Sequence, residues 1–408
     1  MSPRDLYGLT LSTTPEAAAH YNEALGLVLR VRPGADLALR RAVEADPGFA
    51  LGHSALALLG HDQSLPVDVD AALAAAARGR GTDRERSHVA ATTARVRGSA
   101  AALRSHLRHH PRDALLVSAA LPTIAFSGVT GAPRKVWELI ESLAPAYGDD
   151  WWYAGLLAFV RQEQERFTEA ARLSERALAV EPRSGHAAHA LAHVYYETGA
   201  HADGLAWLDG WIRGAGLDAR HGVHYAWHAA LHELAEGDVD AVRRRYDRQL
   251  APPAVTGVRL LVDSASLLWR GELGGVWCPG STPVSSLLDA VDAEMLARPR
   301  SGFVAVHAGL ALATAGDAAG LAFLHRYALS VGGPVFGDVV APVVAGLLAY
   351  VEGSYASAAT LLTRARPVLA RIGGSKAQRE VIDDTLLHAL LAAGRLGEAR
   401  GVVERRAA

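Results

Sequence analysis

Between Trp151 and Pro182, apolar and small residues recur at three- and four-residue spacing, break at Glu165-Arg166-Phe167, and resume through Ala170 and Ala177. That spacing keeps one stripe on one face of a helix, so it predicts two helices joined by a short turn. The pattern returns about 34 residues later, with a helix to Tyr195-Tyr196-Glu197-Thr198-Gly199, a break, and a second helix from Ala202 to Trp211. Small residues at 170, 177 and 204 fall where two antiparallel helices must touch.

Looser copies flank this pair. Leu37 to Pro47 reads as a second helix and His53 to His61 as the opening of the next unit. Asp83 to Gly98 with Ala100 to His110, and Asp113 to Ser127 with Pro133 to Leu143, read as further hairpins. Gly237 separates a helix before it from Val239 to Leu250. Phe303–Ala315, Asp338–Glu352 and Val381–Ala393 each run into a glycine, at 316, 353 and 394, in the position that ends a helix. Strand-like alternation is absent. Period and grammar are those of tetratricopeptide repeats, predicting an all-α, right-handed α-solenoid of helical hairpins enclosing a central concave pocket. One such solenoid is expected to span residues 1–408, with pocket-lining repeats at 184–270 and a breaker-rich loop at 271–283.

Composition sharpens this picture at one place. Of 18 histidines, eight lie between His186 and His232. His186, His189, His193 and Glu197 follow spacings of three, four and four, and so do His221, His224, His228 and His232, giving two polar stripes. Trp227, Leu231 and Leu234 form an apolar stripe beside the second. On the next predicted helix, Asp263, Ser266 and Arg270 share a face.

Imidazoles in register with a carboxylate suit acid–base chemistry near neutrality. His189, His193, His228 and Asp263 are the expected catalytic residues of a small-molecule pocket, with hydrolysis among the reactions it could support. His186, Tyr196, His224, Trp227, Ser266, Arg270, His307 and Arg379 are expected to contact the ligand, the arginines through two-pronged bonds to a carboxylate or phosphate. The four-residue spacing of His189 and His193 also suits two imidazoles on one divalent metal, with His228 as a third candidate, although no HExxH glutamate accompanies them. No cofactor is otherwise expected. A peptide-binding scaffold is the alternative function, and hydrogen bonding between repeats is the ordinary structural role for such histidines. Gly373-Gly374-Ser375 resembles a phosphate nest, but a turn with Ser375 capping the next helix is the simpler reading.

Several short motifs, in order, resemble the tetratricopeptide repeat protein 38 family over nearly the full length. They are Tyr7-Gly8-Leu9-Thr10-Leu11-Ser12-Thr13, Arg84-Glu85-Arg86-Ser87-His88-Val89-Ala90-Ala91, His186 to Val194, Trp227-His228, Asp263 to Arg270 and Ile372 to Glu380. The resemblance implies an α-helical repeat fold and leaves the activity undefined. It also favours a groove-facing role for Glu85 and His88, which otherwise read as the charged first turn of a solvated helix. Two departures accompany it. Ala226 stands where a second tryptophan usually precedes Trp227, and Phe303-Val304-Ala305-Val306-His307 lacks the Asn and Asp usual before the histidine.

The remaining composition excludes more than it adds. A net charge of −2 gives no basic footprint for nucleic acid or an acidic membrane. The single cysteine, Cys278, can form no internal disulfide, and no signal-like N-terminal segment is seen. Apolar runs look too short to span a bilayer. A cytoplasmic protein with a small-molecule or peptide ligand is expected, and a homo-oligomer is compatible with the sequence.

Overall fold

The computed structural model describes residues 2–63, 66–124, 133–278 and 280–407. Among them the regular structure is helical, and the sole β features are two isolated bridges, Arg4 with Thr10 and Phe49 with Arg80. The all-α expectation holds. Two compact units divide the chain, the first from Met1–Thr123, Ala132–Val194 and Trp211–Gly222, the second from Ile124–Gly131, Tyr195–Gly210 and Val223–Ala408.

The first unit is built from hairpins. Pro15–Leu29 packs on Ala35–Ala45, Ala50–Gln63 on Val69–Arg78, Asp83–Val96 on Ala101–His109, and Trp151–Glu163 on Phe167–Val180. Ala170 and Ala177 are fully buried in the last pair, as the small-residue pattern requires. A Cβ on Gly155 would lie 3.0 Å from the Ala187 nitrogen, so a glycine permits that close approach.

In the second unit Gly302–Thr314 pairs with Ala318–Val331, Ala341–Val351 with Tyr355–Ala365, and Lys376–Ala392 with Leu396–Ala407. The short helix Ala265–Leu273 packs against both Gly302–Thr314 and Lys376–Ala392. It carries Ser266, Trp269 and Arg270 into the core, and all three are buried.

Four sequence expectations are adjusted. The helix expected over Asp113–Ser127 ends at Ala120, since Leu121 precedes Pro122 and a residue before proline avoids the helical region; Ser127 lies outside the described residues. Asp263 does not share an α-helix with Ser266. It sits in a π-helical turn, Leu260–Ser264, feeding Ala265–Leu273. Gly271–Leu273 still belong to that helix, so the loop is shorter than 271–283. Finally, a π-helical stretch Gly333–Val340 continues into Ala341–Val351, and the 19-residue run is long and apolar enough to cross a membrane by length and composition. Val339, Val340, Val343, Val344 and Leu347 on it are buried in the core of the second unit.

Candidate functional site

The second unit holds a buried imidazole–carboxylate pair. His224 Nδ1 lies 3.0 Å from Asp263 Oδ1, and both side chains are almost wholly shielded from water. A neutral imidazole donating from Nδ1 keeps its other nitrogen as the basic one. The His224 ring stacks on Trp227 at 5.3 Å and 10°, and the His228 ring meets it edge-on at 4.8 Å. Asp263 thus bonds His224, one turn before His228 on the helix Gly222–Glu236.

Trp227 is itself an anchor. Burying an indole removes roughly 150–250 Å² from water, up to about 6 kcal/mol at 25 cal/mol/Å². Arg270 lies with its guanidinium carbon 5.8 Å from the Trp227 ring centre. Its fork is occupied by the protein. Nε donates to Asp384 Oδ2 at 3.0 Å, one terminal nitrogen to the Ala377 carbonyl at 2.7 Å, and the other to Ser266 Oγ. Arg270 and Ser266 therefore serve to join Ala265–Leu273 to Lys376–Ala392, a role reinforced by Trp269 Nε1 donating to Thr385 Oγ1 at 2.8 Å.

Tyr196 lines a cavity of about 360 Å³ in this unit together with Glu197, Thr198, Gly199, His201, Ala235, Lys376 and Glu380. Its hydroxyl donates to Glu380 Oε2 at 2.6 Å, and Lys376 Nζ is 3.1 Å from Glu197 Oε2. Burial, then the negative charge of Glu380, pushes the Tyr196 phenol well above its ordinary pKa, while Arg270 acts in the opposite sense. Behind it His201 and His232 face each other, Nδ1 to Nδ1, at 3.2 Å. Burial, then His201, lowers His232 to about 4.

His307 donates from Nδ1 to the Phe303 carbonyl at 2.8 Å, and its Nε2 meets no hydrogen-bond partner among the described residues. Burial holds it neutral, with a pKa of about 4. Arg379 reaches back to the Gly373 and Gly374 carbonyls, and Ser375 caps its helix in a reciprocal box with Gln378. The Gly373-Gly374-Ser375 stretch is a capped turn, which the sequence offered as its simpler reading.

The other site candidates belong to the first unit. His189 and His193 approach Nε2 to Nε2 at 3.2 Å, with Phe159 stacked on His189 at 5.4 Å. His186 Nδ1 bonds Thr123 Oγ1 at 2.7 Å, and burial lowers its pKa to about 4. Glu85 is spoken for by the N-terminal segment: Ser12 N and Oγ donate to it at 2.8 and 2.6 Å, and Thr82 N at 2.7 Å. Burial works to raise its pKa and these bonds outweigh it, leaving a carboxylate. Arg84 donates to the Thr10 carbonyl at 2.7 Å. The two motifs at residues 7–13 and 84–91 are thus stitched together. His88 bonds Asp113 instead, Nδ1 to Oδ2 at 2.8 Å.

Sequence reasoning missed Glu380 and Asp384, although a signal existed. Lys376, Glu380, Asp384 and His388 recur every four residues on one helix. Asp113 and His106 carried no such signal, because their partner His88 is remote in sequence and on another element.

No protein-family model matches the chain. Among solved structures, one described as the TPR domain of P58(IPK) aligns over 93% of this chain and 89% of that one, at 13% identity and a TM-score of 0.24. At that score the likeness adds nothing to what this chain's own helices establish.

Proposed function

We propose that the second unit binds a small polar molecule and moves a proton on it, with His224 as acid–base group and Asp263 as the carboxylate that fixes its tautomer. The observation that carries this reading is the buried His224–Asp263 pair, stacked on Trp227 and flanked by His228. An imidazole whose Nδ1–H is held by a carboxylate is fixed in one tautomer, with Nε2 as its basic nitrogen. The same unit holds a cavity lined by Tyr196, Lys376 and Glu380, with donors and charges of both signs for a polar ligand, and His224 and Asp263 are not among its lining residues. Hydrolysis is one of the proton-transfer reactions such a set could serve, with His228 as an auxiliary imidazole. We also read the ordered motifs as placing the chain beside the tetratricopeptide repeat protein 38 family.

A thermal-shift screen of fractionated metabolites tests the binding half. At least one fraction should raise the midpoint of the wild-type protein and leave His224→Ala unmoved. Equal shifts in both proteins would contradict the assignment. A wild-type protein stabilised only by peptides would favour the scaffold reading instead.

A further inference from the structure

A second cluster of buried, ligand-type side chains lies in the first unit, formed by residues that the proposed activity leaves unused. His88 Nδ1 and His106 Nε2 lie 2.8 and 3.1 Å from the same oxygen, Asp113 Oδ2. The three donor atoms all fall within 4.8 Å of one another, and none of the side chains is appreciably exposed. They come from three places in the chain: the helix Asp83–Val96, the helix Ala101–His109 and the N-cap of Ala114–Ala120. His106 is oriented from outside, since its Nδ1 lies 2.9 Å from Ser87 Oγ. That is the support a metal-bound imidazole usually receives on its other nitrogen. His110 adds a further imidazole, its ring 4.8 Å from that of His106.

The local charge balance points the same way. Three carboxylates, Asp113, Asp5 and Glu85, and one guanidinium, Arg84, act on the buried Tyr21 hydroxyl beside the cluster. Arg84 is the one permanent cation of that set, and its 3.4 Å contact is the longest of the three on Asp113 Oδ2.

We propose that His88, His106 and Asp113 are protein ligands of a divalent transition-metal ion of the zinc class, which cross-links the Asp83–Val96 and Ala101–His109 hairpin to the start of Ala114–Ala120. Two imidazoles and one carboxylate form a borderline donor set that suits zinc and its neighbours, not magnesium or calcium. Three protein ligands leave one position of a tetrahedral ion to water or to the neighbouring His110 imidazole. Because the ligand atoms come together only on folding, binding the ion stabilises the folded chain.

The test uses full-length protein prepared without a histidine tag, stripped with chelator and returned to zinc or cobalt. The wild type should take up about one ion per chain at this cluster, and its thermal midpoint should fall on stripping and recover on return. Cobalt should give visible d–d bands of a low-coordinate nitrogen–oxygen site. The paired variants His88→Gln with His106→Gln should lose the ion and the bands. Should those variants fail to fold, X-ray absorption on the wild-type zinc protein decides alone, with a first shell of two imidazoles plus oxygen expected. A wild-type protein that takes up neither metal, one whose midpoint ignores stripping, or variants that keep the cobalt bands would each overturn the proposal.

Discussion

At the scale of single residues, the histidines divide by what holds them. His224 is held by a carboxylate, whereas His307 is held by a backbone carbonyl alone and buried. Spacing placed both on helix faces, but it could not say which would find an acidic partner, because that partner comes from a different helix. His307 carries a pH prediction. Its folded pKa of about 4 lies below the unfolded value, so between roughly pH 6.5 and 4 the unfolded chain binds the extra proton. Stability should therefore fall as pH drops through that window, with His307 contributing on the order of 3 kcal/mol. Urea midpoints measured from pH 7.5 to 4.5 should decline less steeply in His307→Leu than in the wild type. Parallel curves would mean that His307 does not titrate as a buried neutral group.

Single elements show where periodicity succeeds and where it stops. Helix ends marked by glycine were readable: Gly302–Thr314, Ala341–Val351 and Lys376–Ala392 end within about two residues of the glycine signals. The π-helical turn at Leu260–Ser264 was not, since one extra residue in a turn leaves no mark in an apolar sequence. That turn changes the face on which Asp263 emerges relative to Ser266. Gly204 illustrates a close approach that the repeat pattern did anticipate. A Cβ there would stand 2.7 Å from both His232 Cε1 and Tyr195 Cβ. Gly204→Ala should destabilise the protein by about 1–3 kcal/mol despite the better helix propensity of alanine, read as a lowered denaturant midpoint. A stabilised variant would mean that the His232 ring shifts freely. On the helix Lys376–Ala392, Ser375→Ala removes one half of a capping box and should cost about 1 kcal/mol. No loss in a chemical denaturation curve would show that the turn holds the helix end without its cap.

For the whole molecule, the sequence conveyed the fold class, all-α and built of helical hairpins. Helical hairpins follow from local spacing, and several were visible before any tertiary contact, Trp151–Glu163 with Phe167–Val180 most clearly, whereas the helices Pro15–Leu29 and Val69–Arg78 were not. The division into two compact units was not, since it depends on which segments meet across long stretches of chain. The roles of Arg270 and Glu85 were hidden for the same reason. Each is charged and at a conspicuous position, yet each is consumed by partners far away in sequence, Asp384 in one case and Ser12 in the other. The proposed function rests on His224 and Asp263. Asp263→Asn is the sharpest probe, because it keeps the side-chain shape and exchanges an acceptor for a group that no longer enforces the Nδ1–H tautomer. Purified wild type and Asp263→Asn should each be incubated with a complex pool of small polar metabolites, and consumption followed by mass spectrometry. The account predicts that at least one compound is converted by the wild type and that the variant, still folded by circular dichroism, converts it about 10³–10⁴-fold more slowly. Conversion of nothing by the wild type, or equal rates in the two proteins, would contradict it.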